Sequence, residues 1–247
     1  MSGHNKWSKI KRKKGVSDGR RAKAFTRILK EIAISIKEGG MADPDANPRL
    51  RLAITNAKGM NMPKDNIQRA IQKAVGKDAA NYTQVSYEGY APGGVAVFVE
   101  CTTDNINRTV ADVRHAFTKN NGTLGTNGSL SFLFDLTGVF TIQKNNFLED
   151  EMMLLLLDAG ADDVLVDEEI FTAFTTLENF APMQKKLEEQ KIEIENAELQ
   201  RIPKNTITLD IESAKKVLKM IDALEEYDDV QNVFHNMEMT DELIEAL

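Results

Sequence analysis

The sequence is poor in the features that mark secreted, membrane and redox proteins. Cys101 is the one cysteine among 247 residues, which excludes an intramolecular disulfide framework. No apolar run reaches the roughly 18 residues of a membrane-spanning helix, and no apolar signal segment follows the charged N-terminus. We therefore expect a cytoplasmic protein that has no membrane partner.

The sequence also lacks the motifs of common enzyme classes. The P-loop, zinc-protease and serine-hydrolase signatures are all absent. His4, His115 and His235 lie in three different predicted elements and have no metal-ligand spacing. Cys101 falls inside a strand pattern, which indicates a buried apolar residue rather than a nucleophile. We expect no catalytic residues, no metal site, no cofactor and no small-molecule substrate.

Positive charge is scarce in most of the chain and concentrated at its start. Residues 1–77 hold 19 of the 31 Lys and Arg residues but 6 of the 38 Asp and Glu residues, a net charge of +13. Residues 78–247 carry a net charge of −20. A basic N-terminal part on an acidic body indicates a protein that contacts phosphate groups with one end.

Residues 1–17 form a basic arm that also contains the single tryptophan. Cations at this density bind a polyanion by displacing counterions, which supplies affinity rather than sequence specificity. Trp7 is either a base-stacking residue or a packing anchor for the following helix. The alternative for the whole arm is a solvated, lysine-rich tail. The predicted nucleic-acid contacts of the arm are Lys6, Trp7, Lys9, Lys11, Arg12, Lys13 and Lys14.

A predicted helix follows the arm, capped by Asp18 and ending near Gly39. Its apolar residues recur with the helical period on one face, and basic residues fall on the opposite face. Ile34 lies among the charged residues, either as an isolated, exposed apolar side chain, which is favoured, or as a contact with a partner. The predicted nucleic-acid contacts of this helix are Arg20, Arg21, Lys23, Arg27 and Lys30.

Two more helices are predicted after the first. Pro48 opens one that ends near Gly59, and Pro63 opens the other. The three helices form a predicted bundle over residues 18–77. The turn lengths do not closely match a helix-turn-helix reader, so the pattern gives no support for base-specific reading.

The rest of the chain predicts two α+β domains. Residues 135–203 have the order βαββαβ of a ferredoxin-like domain. Residues 78–134 and 204–247 supply strand-helix-strand sets on either side of it, including a strand at NTITLDI. The predicted fold class is therefore α+β, with an N-terminal three-helix bundle followed by two ferredoxin-like α+β domains, one inserted in the other. The ends of the insertion, Asp135 and Lys204, should lie close together.

Glycines at a spacing of three follow the predicted helix over residues 107–119. Backbone N–H groups near Gly122, Gly125 and Gly128 could cradle a phosphate. A tight loop is the alternative, and it is favoured because no lysine-bearing helix start follows.

Four long motifs resemble the YebC/PmpR family. They are MSGHNKWSKIKRKKGVSDGRRAKAF, TNAKGMNMPKDNIQRAI, YEGYAPGGVAVFVECTTDNINRT and LGTNGS. The resemblance spans the whole chain, is strongest over residues 1–130, and departs at Asn5 and Asn121, where Ser and Gly are expected. It implies the three-part shape above and a nucleic-acid partner. Bacterial members are described as probable transcriptional regulators, and mitochondrial relatives as translational activators.

Three functions stay open at this point. The first is a DNA-binding transcriptional regulator whose arm and first helix grip the phosphate backbone. The second is a translation factor that binds ribosomal RNA on the ribosome, which the lack of a clear base-reading helix favours. The third is a scaffold whose acidic face binds a basic protein. The family resemblance places the DNA-binding regulator first.

Overall fold

The computed structural model of the chain describes residues 18–76, 80–145 and 147–247. The basic arm, with all of its predicted nucleic-acid contacts, lies outside the described residues. The described part contains eight α-helices and two four-stranded sheets. The α+β fold class predicted from the sequence is confirmed.

A helical segment comes first, and strands and helices follow it. The helices are α1 (Asp18–Gly39), α2 (Pro48–Gly59), α3 (Lys64–Val75), α4 (Ile106–Lys119), α5 (Glu149–Ala159), α6 (Leu177–Glu189), α7 (Ile211–Glu225) and α8 (Asp241–Glu245). The strands are β1 (Thr83–Tyr90), β2 (Ala96–Thr103), β3 (Thr123–Leu124), β4 (Phe134–Gln143), β5 (Asp163–Val166), β6 (Ile170–Thr176), β7 (Ile194–Pro203) and β8 (Val230–His235).

Side-chain caps fix where several helices begin. Asn47 accepts a hydrogen bond from the backbone N–H of Leu50 at 3.1 Å at the start of α2. Asp210 accepts one from the N–H of Ser213 at 2.9 Å at the start of α7. The hydrogen bonds from Ser213 lower the pKa of Asp210, since they favour the charged carboxylate. Each cap satisfies an N–H group that the helix itself leaves without a partner.

These elements form two compact units. The first contains α1 up to Arg27, Asn81–Asp135 and Arg201–Leu247. The second contains Ile28–Ala80 and Leu136–Gln200. The sequence predicts a different division, into a bundle, a split domain and an inserted domain. These two units do not test it, so it remains a prediction.

The sheet of the second unit has the strand order β5-β6-β4-β7. With α5 and α6 between its strands along the chain, this is the ferredoxin-like arrangement that the order βαββαβ predicts. Phe140 and Phe171 of the sheet are fully buried in one core cluster with Met152 of α5 and Met183 of α6. The two helices therefore bury their apolar sides against the sheet.

Helix α2 is joined to the edge of this sheet at strand β7. The side-chain amide of Asn56 donates to the backbone oxygen of Ala197 at 2.8 Å and accepts from its N–H at 2.9 Å. The amide thus takes the place of a neighbouring strand at that residue. Close by, a Cβ added to Gly59 would lie 1.9 Å from the carbonyl oxygen of Glu195. The residue at position 59 must be glycine for α2 to approach β7 this closely.

The sheet of the first unit has the strand order β3-β1-β2-β8, and each neighbouring pair is antiparallel. Val97, Val99 and Cys101 of β2 belong to one core cluster with residues of α4 and α7. On the alternate positions, Phe98 packs edge-to-face on Phe134 with ring centroids 6.3 Å apart. The burial of Cys101 confirms its predicted place among the apolar core residues.

The connectivity predicted for this unit is wrong in three places. Thr83–Tyr90 form β1, a strand that the sequence pattern did not indicate and that pairs with β2. The second strand is predicted after the glycine-spaced segment, whereas the short strand β3 (Thr123–Leu124) lies within it. NTITLDI is not a strand, and within it Ile207 forms an isolated bridge with Met237. Ile207 and Leu209 pack against the core, so their apolar alternation reflects burial rather than sheet pairing.

The chain leaves and re-enters the first unit at adjacent points, as expected. The Lys204 ammonium lies 3.2 Å from the carboxylate of Asp135. The backbone N–H of Lys204 donates to the carbonyl oxygen of Leu133 at 2.9 Å.

Replacing Gly59 by alanine should destabilise the protein. The new Cβ would overlap a backbone carbonyl that cannot rotate away, so we expect the free energy of unfolding to fall by about 2 kcal/mol or more. Gly76→Ala is the matched control, because its nearest neighbour would be a carbonyl oxygen at 3.4 Å, an ordinary contact. Chemical denaturation of both variants measures the difference. Equal stabilities would show that α2 does not need this close approach.

Candidate nucleic-acid interface

Helix α1 carries the part of the predicted interface that the structure describes. Arg20 lies in its first turn, and its side chain is outside the described residues. The side chains of Arg21, Lys23, Arg27 and Lys30 are described. They have three different environments, so they do not form a single exposed stripe.

Lys23 and Arg27 bind the C-terminal end of helix α7. Lys23 pairs with the carboxylate of Glu226, and its ammonium donates to the backbone oxygen of Glu226 at 3.1 Å. Arg27 donates to the backbone oxygen of Glu225 at 3.2 Å. The last carbonyl groups of a helix lack helical partners and carry partial negative charge, which favours cations there. Both residues therefore cap α7, and their charge is used within the first unit.

Lys30 and Ile34 are buried, with 7% and 1% of their surface exposed. The prediction that both lie on a solvent-facing side of α1 is therefore wrong. Ile32 and Ile36 are buried on the expected apolar face, and Ser35 beside Ile34 is also buried. The second half of α1 is enclosed on more than one side, and a two-sided helical pattern cannot anticipate this.

Arg21 remains exposed. Its guanidinium lies over the ring of Phe25, 5.5 Å from the centroid. This cation–π contact orients the side chain without neutralising it. Among the described members of the predicted stripe, Arg21 is the one whose charge stays available to a phosphate.

The glycine-spaced segment is a tight loop held by Glu88, a carboxylate that is 2% exposed. The carboxylate accepts the N–H of Gly128 at 2.8 Å and the N–H of Leu130. The backbone oxygen of Glu88 accepts the N–H of Gly125 at 2.7 Å. The N–H groups of Gly128 and Leu130 thus already bind a carboxylate, and that of Gly125 binds a backbone carbonyl. The phosphate-cradle alternative therefore does not apply, and the tight-loop prediction is confirmed.

A second buried carboxylate, Asp229, organises the start of helix α4. It accepts hydrogen bonds from Thr103 at 3.0 Å, Thr109 at 2.9 Å and Arg108 at 2.6 Å. Arg108 also binds Asp104 at 2.8 Å. The hydrogen bonds to Asp229 and Asp104 raise the pKa of Arg108, so its charge is permanent but already paired. Sequence reasoning missed this cluster because Asp229 is far along the chain from its partners.

Two negative findings apply to the described residues alone. Within residues 18–76, 80–145 and 147–247 there is no group of three or more His, Cys, Asp or Glu side chains that could hold a metal ion. In the same ranges no helix is long and apolar enough to cross a membrane.

The double variant Lys23→Gln/Arg27→Gln should lose about 1 kcal/mol of stability at low salt, because it removes both cations from the end of α7. High salt should abolish most of this loss, since the Lys23–Glu226 pair is partly exposed. Arg21→Gln is the control, because it removes a charge from the same helix without touching α7. Denaturant titrations at two salt concentrations provide the measurement. A loss no larger than that of the control would contradict the capping role.

Comparison with known proteins identifies the family. Residues 5–77 match the model described as the TACO1/YebC protein N-terminal domain, and residues 82–237 match the TACO1/YebC second and third domain. A protein of Chlorobaculum parvum is 48% identical, covering 100% of this chain and 99% of that protein. One of Syntrophomonas wolfei is 47% identical, with 100% of both covered. Both are named "Probable transcriptional regulatory protein".

A solved structure agrees with this match. The crystal structure of a conserved hypothetical protein from Aquifex aeolicus has a TM-score of 0.82 and 42% sequence identity. The match covers 91% of this chain and 93% of that one. The chain therefore belongs to the TACO1/YebC family, in agreement with the motifs of its sequence.

Proposed function

We propose that the protein is a DNA-binding transcriptional regulator that acts without catalysis, with DNA as its partner and the cytoplasm as its location. The observation that carries the proposal is the net charge of +13 in residues 1–77 beside −20 in the rest of the chain. Such a division favours binding of a polyanion at one end of the protein. The names of the relatives from Chlorobaculum parvum and Syntrophomonas wolfei support the transcriptional role.

The proposed binding combines two kinds of positive charge. In the proposal, the cations of the arm contact phosphate groups, and the strength of these contacts depends on released counterions. The helical segment supplies cations at fixed positions on a folded surface. Of its predicted contacts, Arg21 keeps an exposed charge, whereas Lys23 and Arg27 are engaged with α7.

Deleting residues 1–15 should remove much of the DNA affinity and leave the folded core unchanged. The deletion removes six cations, so the slope of log K against log salt should flatten by up to about 5. A full-length variant with the same six residues changed to Gln controls for chain length and should behave like the deletion. Fluorescence anisotropy of labelled duplex DNA across a salt series measures the binding constant and the salt slope of each protein. Unchanged affinity at moderate salt would contradict the role of the arm.

The same titration tests the ribosomal RNA alternative. The full chain is measured against a promoter duplex and a ribosomal RNA fragment at equal salt, together with Trp7→Ala. A DNA-binding regulator should bind the duplex more tightly and lose little on Trp7→Ala. Tighter binding of the RNA, with a large loss on Trp7→Ala, would instead favour base stacking on single-stranded RNA and overturn the proposal.

A further inference from the structure

Helix α3 has one packed side and one side that is exposed along its whole length. Ile67 is buried, and Ala70, Ile71 and Ala74 on the same side are partly buried. The middle turns of the exposed side carry two adjacent rows with i, i+4 spacing, each spanning about 6 Å of helix. These rows are Gln68 with Gln72 and Arg69 with Lys73.

Two cations of this exposed side form no ion pair with any other described residue. Within the described residues, neither Arg69 nor Lys73 forms an ion pair, although Asp65 stands one turn before Arg69. By contrast, Arg49 of α2 binds Glu31 at 2.7 Å and also pairs with Glu38. Besides Arg21 of α1, this helical segment therefore has exposed cations on α3, two helices beyond the stripe that the sequence predicted.

The connection from α2 to α3 is short and internally bonded. Four residues, 60–63, join the two helices. The backbone N–H of Asn61 donates to the carbonyl oxygen of Lys58 at 2.8 Å, and that of Met62 donates to the carbonyl oxygen of Ala57 at 2.9 Å. The side chain of Met62 is buried. A connection of three to four residues is the length found in helix-turn-helix readers. The objection raised from predicted turn lengths therefore does not hold for this helix pair.

We propose that α3 is a DNA-reading helix, which enters the major groove of duplex DNA with its exposed side. This rests on the proposed function and adds the contacting surface and a source of sequence preference. Gln68 and Gln72 carry side-chain amides, which can form two hydrogen bonds with the major-groove edge of one adenine base. Arg69 and Lys73, on the neighbouring row, contact phosphates of the groove wall.

The occupant is duplex DNA rather than duplex RNA for a geometric reason. The major groove of B-form DNA is about 12 Å wide and admits an α-helix. The major groove of A-form RNA is deep and narrow, and side chains cannot read it. A helix whose reading groups project from its middle turns therefore suits DNA.

The two rows are tested separately in the full-length protein. The wild type selects duplexes from a random DNA library, and each variant is then measured on the enriched sequence and on a shuffled one. Gln68→Ala/Gln72→Ala should reduce the preference for the enriched sequence by about tenfold or more and leave the salt slope unchanged. Arg69→Gln/Lys73→Gln should weaken both DNAs alike and flatten the slope by about 0.9 per lost phosphate contact.

Matched controls carry the same chemical changes elsewhere. Gln190→Ala alters an exposed glutamine, and Lys215→Gln/Lys216→Gln removes two exposed cations from α7. Both should retain the preference and the slope, and all variants should keep the circular dichroism spectrum and melting temperature of the parent.

Failures of this inference and of the proposed function are distinguishable. Suppose that the wild type binds duplex DNA but enriches no sequence, or that the Gln68/Gln72 variant keeps the full preference for the enriched sequence. In either case α3 does not read bases, and the proposal of a DNA-binding regulator still stands. If the parent does not bind duplex DNA, both fall. Equal effects of the Arg69/Lys73 variant on an RNA duplex would overturn the assignment to the DNA major groove.

Discussion

The position of the helical pair α2–α3 depends on one side-chain amide. Strand β7 is the last strand of its sheet, and its outer backbone groups need partners. Asn56 supplies both bonds to Ala197, donating one and accepting the other. The close approach at Gly59 lets α2 reach the strand. Since α3 follows α2 through four residues, this contact also fixes which side of α3 remains exposed.

Charge in this protein is divided between structural and accessible groups, and burial and pairing decide the division. Glu88 and Asp229 are buried anions that organise a loop and a helix start. Lys23 and Arg27 satisfy the end of α7. Positive charge counted along the sequence therefore overstates what a polyanion can reach. The accessible fixed cations include Arg21, Arg69 and Lys73.

Much of the fold could be predicted because its signals are local. The cap at Asn47 with Pro48 after it, the strand pattern before Cys101 and the βαββαβ order each depend on neighbouring residues. The failures have longer-range causes. NTITLDI alternates like a strand because Ile207 and Leu209 pack on a core built from distant elements. Partners such as Asp229 for Arg108, or Glu226 for Lys23, cannot be found by spacing.

The insertion of one segment into the first unit has a consequence for the order of folding. Strand β8 pairs with β2, and the sheet-forming segment of the second unit, Leu136–Gln200, lies between them in the chain. During synthesis the first unit cannot complete its sheet until its last strand leaves the ribosome, whereas the strands β4 to β7 are all available earlier. Early folding of that inner segment brings Asp135 and Lys204 together and shortens the loop that β2 and β8 must close. The unit that starts first along the chain is therefore the one that finishes last.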